Sequence, residues 1–215
     1  MSMYHILDTE TAGLSGGVVE LAYLKVDSAL NVLESFVSRC NPQRKIDAGA
    51  YAVHGISDKG VASAPTLAEL AVRLPKPIDI IAHNAPFDTR MIAPHITAER
   101  TLCTLALSRT HIKGTSNHKL PTLRTELNLP EQKDHSALGD VYTTLALLKH
   151  IVNLTGISVE THFQRFNKPR MLSEMPFGKF KGVAMLDVPA DYRKWLAAQD
   201  IDRDLKYTLE RLDSL

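Results

Sequence analysis

The chain has 215 residues, 44% of them hydrophobic and 23% charged. That is room for one generous domain, or one with a small appendage, around a sizeable core. A formal net charge of +1 argues against a protein that coats nucleic acid through a broad basic face, no apolar run reaches the ~20 residues of a membrane span, and two isolated cysteines exclude a disulfide framework.

With no secretory signal visible, Cys40 and Cys103 fit a reducing compartment, most simply the cytoplasm, and no membrane partner. MYHILD reads as a short buried strand, VVELAYLKVD and NVLESFVSRC as two more, and the tight spacing predicts an antiparallel meander. DAGAYAVHG ends a helical piece at Gly55, and Leu67, Leu70, Ala71 and Leu74 have helical spacing. IDIIAH is a continuous apolar run, the pattern of a strand covered on both faces. Asn84-Ala85-Pro86 offers an N-cap and an early-turn proline for a helix carrying Phe87, Asp88 and Met91.

RTLCTLALS predicts a strand running into a helix, and LPTLRTELNL a short helix with Pro121 in its first turn. The longest helix lies in HSALGDVYTTLALLKHIVNL, with Leu138, Val141, Leu145, Leu148 and Val152 as its apolar stripe. Residues 156–174 read as a linker. Residues 175–215 then form a small module with a Gly-punctuated hairpin, a helix carrying Trp195 and a final helix from about Asp202. Two segments are locally basic, Arg109 to Lys119 and Arg165 to Lys181, and each reads first as a solvated surface loop.

Asp8 and Glu10 end the first strand, where a period of two puts both carboxylates on one side. Asp88 follows the other strongly buried strand, and Asp140 lies in the first turns of the long helix. Open α/β sheets gather ligands at the carboxyl ends of their strands, so the four acids are expected to converge. Such a cluster needs counter-charge. No matching set of buried bases exists, so hard divalent cations, magnesium or manganese, are the natural remedy. His135 would stand roughly 140° from Asp140 on a regular helix. It is therefore expected on the loop before it, as a general base, with Ser136 as the cap.

DTET, AHNAPFD and HSALGD, in this order over residues 4–153, resemble the three motifs of the DEDDh exonuclease superfamily. These are the relatives of the proofreading subunit of bacterial DNA polymerase III. PFGKFKGVAMLDVPADYRKWL near the C-terminus carries a closer likeness, to one member type of this length and layout. The resemblance implies a ribonuclease H-like α/β fold: a mixed five-stranded sheet, three antiparallel strands plus two parallel, flanked by helices. It places the exonuclease domain at residues 1–155 and a small C-terminal α+β module at 175–215. It implies a 3′→5′ exodeoxyribonuclease of DNA repair or turnover that releases 5′-nucleoside monophosphates.

Two Mg²⁺ ions, for which Mn²⁺ can substitute, are implied among Asp8, Glu10, Asp88 and Asp140. Asp8 would lie between both ions, and His135 would take the proton from the attacking water. Thr9, Thr11, Ala12, Leu14, Ser15, His54 and Asn84 are the implied substrate contacts. Phe87 reads first as plain core. The implied partners are DNA 3′ ends, single-stranded or duplex, and a homodimer is compatible with the family. No residue discloses a pocket for a 2′-hydroxyl, so an exoribonuclease is the alternative. A non-catalytic nucleic-acid-binding protein of the same fold is disfavoured because all five catalytic-type residues are present.

Overall fold

A computed structural model of the chain describes residues 2–212 other than 75, 77, 94, 131–135 and 200. The apolar runs at the start become β1 (Met3–Thr11), β2 (Val18–Asp27) and β3 (Val32–Arg39). They pair as an antiparallel meander, as expected. Helix α1 (Ala48–His54) stops at Gly55, which takes the left-handed conformation at φ 70. Next come α2 (Asp58–Val61), capped by Ser57, and α3 (Leu67–Ala71), opened by a Thr66–Glu69 capping box. Strand β4 (Ile78–Ala82) pairs in parallel with β1, and after α4 (Ala85–Ile92) strand β5 (Ala98–Cys103) pairs in parallel with β4. The sheet order β3-β2-β1-β4-β5 puts β1 in the middle.

Alternation along β1 decides what each face meets. Tyr4 and Ile6 pack in the cluster that includes the long helix, whereas Leu7 packs in the cluster on the opposite face with Ile80, Met91 and Ile92. The chain passes through α5 (Thr104–His111) and α6 (Leu120–Glu126) to α7 (Ala137–Thr155). Helix α7 buries Val141, Leu145, Leu148 and Ile151, while Leu138 and Val152 of the expected stripe are only partly buried. It touches α5 and α6 as well as the sheet, so its buried face is wider than a single stripe.

The segment expected as a linker is not one. Residues Val159–Asn167 form α8, with Ser158 accepting a hydrogen bond from the Thr161 N–H at its start. Phe163 is fully buried and stacks on Tyr4 with ring centroids 5.0 Å apart; burying such a ring is worth about 1.5–3 kcal/mol. Arg100 of β5 binds both Asp79 of β4 and Glu160 of α8, and the Tyr4 hydroxyl donates to Glu160. The first compact unit therefore runs from Met1 to Phe166 and the second from Asn167 to Leu215.

Within the second unit, the backbone N–H of Leu172 donates to Thr208 of α10 (Arg203–Leu212), so this part of the expected linker is also held. The hairpin expected here shrinks to one antiparallel bridge, Glu174 with Ala184. Gly178 and Gly182 adopt φ 74 and 80 and curl the residues between into a short 3-10 turn. Met175, Met185, Val188, Leu196, Leu205 and Leu209 make the core of this unit, with α9 (Ala190–Ala197) carrying Leu196.

Candidate active site

Because Tyr4 and Ile6 face α7, so do Asp8 and Glu10 further along β1. Asp140, in the first turn of α7, meets them: one carboxylate oxygen from each of the three lies within 4.8 Å of the others. Asp88 stands beside this trio. Strand β4 has ended at Ala82, and Asp88 of α4 accepts hydrogen bonds from the Thr9 backbone N–H (3.1 Å) and hydroxyl (2.9 Å). Burial first, then the carboxylates of Asp88, Asp140, Glu10 and Glu20, hold Asp8 well above its usual range. Burial and then Asp140 push Glu10 up to about 7. Asp88 also rises to about 7, where burial outweighs the downward pull of its bonds to Thr9. The donor set is all oxygen and charged beyond what nearby cations relieve, and it fits a hard divalent metal ion.

Glu20 was not singled out from the sequence. It is 7% exposed on β2, opposite Glu10 in the strand register. One of its oxygens accepts from the backbone N–H of Ala137 at 2.9 Å, and the other faces Arg39 at 3.4 Å. The expected Ser136 cap also forms, accepting from the Gly139 N–H. Together they satisfy two of the donors that a helix start leaves open, and they seat the turn that carries Asp140. The readable signal was an acid inside the apolar run VVELA. His135 lies outside the described residues.

A cavity of about 430 Å³ adjoins the acids, lined among others by Thr9, Glu10, Thr11, Leu14, His54 and Phe87. Gly13 belongs to its wall because a Cβ there would run into the Asp47 carboxylate. Not every expected contact reaches this space. Ala12 donates its N–H to the Gly17 carbonyl, accepts from the Asp47 N–H and buries its methyl fully, so its backbone is not free for a nucleotide. The Thr9 N–H is likewise taken by Asp88. The Ser15 hydroxyl accepts from Arg44, on a different exposed contact.

His54 accepts from the Ile56 N–H at Nδ1, so its Nε2–H donates to the Thr11 carbonyl. Its ring lines the cavity, but both nitrogens are used. Phe87, read first as core, borders the cavity with the Arg90 guanidinium 5.6 Å from its centroid. Asn84 opens α4 with left-handed backbone, φ 76, and makes no capping bond, contrary to the expected cap. It lines a second cleft instead.

Residues 5–148 match the RNase T family, described as exonuclease. The chain belongs to this exonuclease family. Membership makes it a nuclease, a hydrolase of nucleic acids. It is 33% identical to exodeoxyribonuclease 10 of Escherichia coli strain K12 over 201 residues, 90% of each chain. It is similar in fold to exonuclease X solved with 5′-overhanging duplex DNA, with TM-score 0.67 and 31% identity over 75% of this chain and 98% of that one. E. coli exonuclease I with a dA16 oligonucleotide shares the fold, with TM-score 0.61 and 21% identity over 77% of this exonuclease and 43% of that chain. Residues 169–203 match a second family, described as a putative quorum-sensing-regulated virulence factor. Among the described residues, no helix is long and apolar enough to cross a membrane.

Proposed function

We propose that this exonuclease degrades DNA from the 3′ end, releasing 5′-nucleoside monophosphates one at a time, in repair or DNA turnover. Asp8, Glu10, Asp88 and Asp140 would hold two magnesium ions, with manganese as a substitute. The observation that carries the reading is the meeting of Asp8, Glu10 and Asp140 beside a cavity lined by apolar and hydroxyl groups. The names of the relatives support the choice of DNA.

Bound divalent ions would offset the crowded negative charge and stabilise the charge that builds on the phosphoryl oxygens during in-line displacement. The chain's own groups do the rest. Thr9 fixes Asp88, and Glu20 with Ser136 seats Asp140. Phe87 and Leu14 offer apolar surface to the terminal base, and the Thr11 hydroxyl a polar contact to its sugar. His135, next to the α7 cap, accepts the proton of the attacking water.

Release of mononucleotides from a 3′-labelled DNA oligonucleotide, dependent on magnesium and abolished by EDTA, checks this function. A matched RNA oligonucleotide decides the sugar. Parent-level activity in Asp8→Ala would overturn the reading.

A further inference from the structure

A small folded unit is short of apolar surface to bury, yet the second unit leaves two large rings outside its core. Phe177 is 44% and Trp195 55% exposed, while aliphatic and methionine side chains fill the interior. Trp195 is the sole tryptophan of the chain. It stands at the outer end of an aromatic row: Phe180 meets Tyr192 edge-on with centroids 4.8 Å apart, and Tyr192 meets Trp195 at 5.4 Å. Gly178 lets the turn from Phe177 to Lys181 lie on α9, because a Cβ there would come within 3.1 Å of the Tyr192 hydroxyl. Arg193 of α9 donates to the Val188 carbonyl at 2.7 Å and so ties the helix to the segment before it. The rings are held in place by their own unit, which lowers the ordering cost of binding a ligand.

Positive charge lies on the same turn. From Met175 to Leu186 the sequence has two lysines and no acid. Lys179 and Lys181 are exposed and form no ion pair among the described residues. The Lys179 Nζ lies 5.3 Å from the Phe180 ring centroid, so cation and aromatic row adjoin. Asp191 stands four residues before Trp195 on α9, on the same side of the helix, which leaves the lysine turn as the side that attracts an anion. Exposed rings beside unpaired cations match unpaired nucleotides, since every base offers a flat face and every linkage a negative charge. A duplex hides those faces in its stack, and an apolar protein surface would leave the lysines unanswered.

We propose that this surface of the second unit binds single-stranded DNA, with Trp195 and Phe177 stacked on bases and Lys179 and Lys181 holding phosphates. From the proposed function it takes DNA as the substrate. It adds a second hold on the strand, joined through the chain to the catalytic unit, and so raises the effective concentration of the strand there.

Trp195 reports on the surface directly, because it gives the only tryptophan emission and stacking on a base quenches it. In EDTA, where no strand is cleaved, an oligothymidylate of ~20 nucleotides, longer than a typical single-strand site, should quench the emission saturably. A blunt duplex of that length should leave it nearly unchanged. Phe177→Ala should weaken the affinity about tenfold, the worth of one stacked base. Lys179→Gln/Lys181→Gln should make the salt slope shallower by about 1.4, from two contacts at ~0.7 each. With magnesium, Trp195→Ala should raise the KM for the oligonucleotide about tenfold with kcat kept, and Trp195→Phe should recover most of it. Hydrolysis of the p-nitrophenyl ester of thymidine 5′-monophosphate should match the parent in both. Unquenched emission would overturn the surface, as would equal quenching by the duplex or quenching that the Phe177 and lysine changes leave unaltered. Emission that shifts with protein concentration in the absence of DNA would assign the rings to a contact between copies, and overturns it too. A parent that binds in this way but releases no nucleotide sinks the proposed function and leaves the surface standing.

Discussion

Burial, and then four neighbouring carboxylates, hold the Asp8 carboxyl well above its usual range because they penalise the charged form. A raised folded pKa means that the folded state binds the proton more tightly than the unfolded chain. Stability linked to the acid cluster is therefore present at low pH and lost as pH rises through about 7, where Glu10 and Asp88 titrate. In EDTA at pH 8, Asp8→Asn should melt about 2–4 °C above the parent, while its nuclease activity falls by ~10²-fold or more. Thermal melts with and without magnesium check both; an unchanged Tm in EDTA would show that the cluster carries no strain. His83 works in the opposite direction, because burial lowers its pKa to about 4. The unfolded chain takes up that proton near pH 6.5, so this contribution is whole above 6.5 and lost as pH falls towards 4, by at most ~3 kcal/mol. Urea unfolding at pH 7 and pH 4.5 should show a smaller acid loss in His83→Gln than in the parent. The alternation of DTET made the shared side of Asp8 and Glu10 legible in advance. The commitment of the Thr9 N–H to Asp88, 79 residues away, was not, since it depends on where β4 stops.

Helix α7 illustrates how an element is aimed. Its cap and its length were readable, but the pin at its first residue comes from Glu20 on another element. Glu20→Ala leaves the Ala137 N–H without its partner, a cost of about 1–3 kcal/mol. As a positioning change it should lower kcat by roughly ten- to a hundredfold with KM near the parent. Glu20→Gln keeps an acceptor for Ala137 and should recover most of that loss in steady-state kinetics; no difference between the two variants would reduce Glu20 to packing alone. Helix α8 is the element that a linker reading passes over, although Val159, Phe163 and Phe166 have helical spacing. Polar neighbours and the following prolines hid it, and only Tyr4, Arg100 and Glu160 show what it covers. A chain ended after residue 155 should lose at least ~3 kcal/mol in chemical unfolding through the exposed Tyr4 face, whereas one ended after Asn167 should not.

The molecule divides after α8 into two compact units, each with its own core. The acid cluster and the cavity beside it both belong to the first. The chain ended after Asn167 should therefore hydrolyse the p-nitrophenyl ester of thymidine 5′-monophosphate, a minimal substrate with a single nucleotide, with the parent's kcat; loss of that activity while the fragment stays folded would place part of the machinery in the second unit. Across the whole protein, local sequence determined what depends on neighbours along the chain: the strand meander, the helix caps, the shared side of Asp8 and Glu10, and the family motifs. Tertiary structure alone decided which oxygens meet, that Ala12 turns away from the cavity, that Glu20 seats α7 and that Asn84 lines a second cleft instead of capping α4. Periodicity and capping act over a few residues and leave a pattern in the sequence. Convergence depends on strand order and on where each strand ends, which partners far apart in the chain settle together.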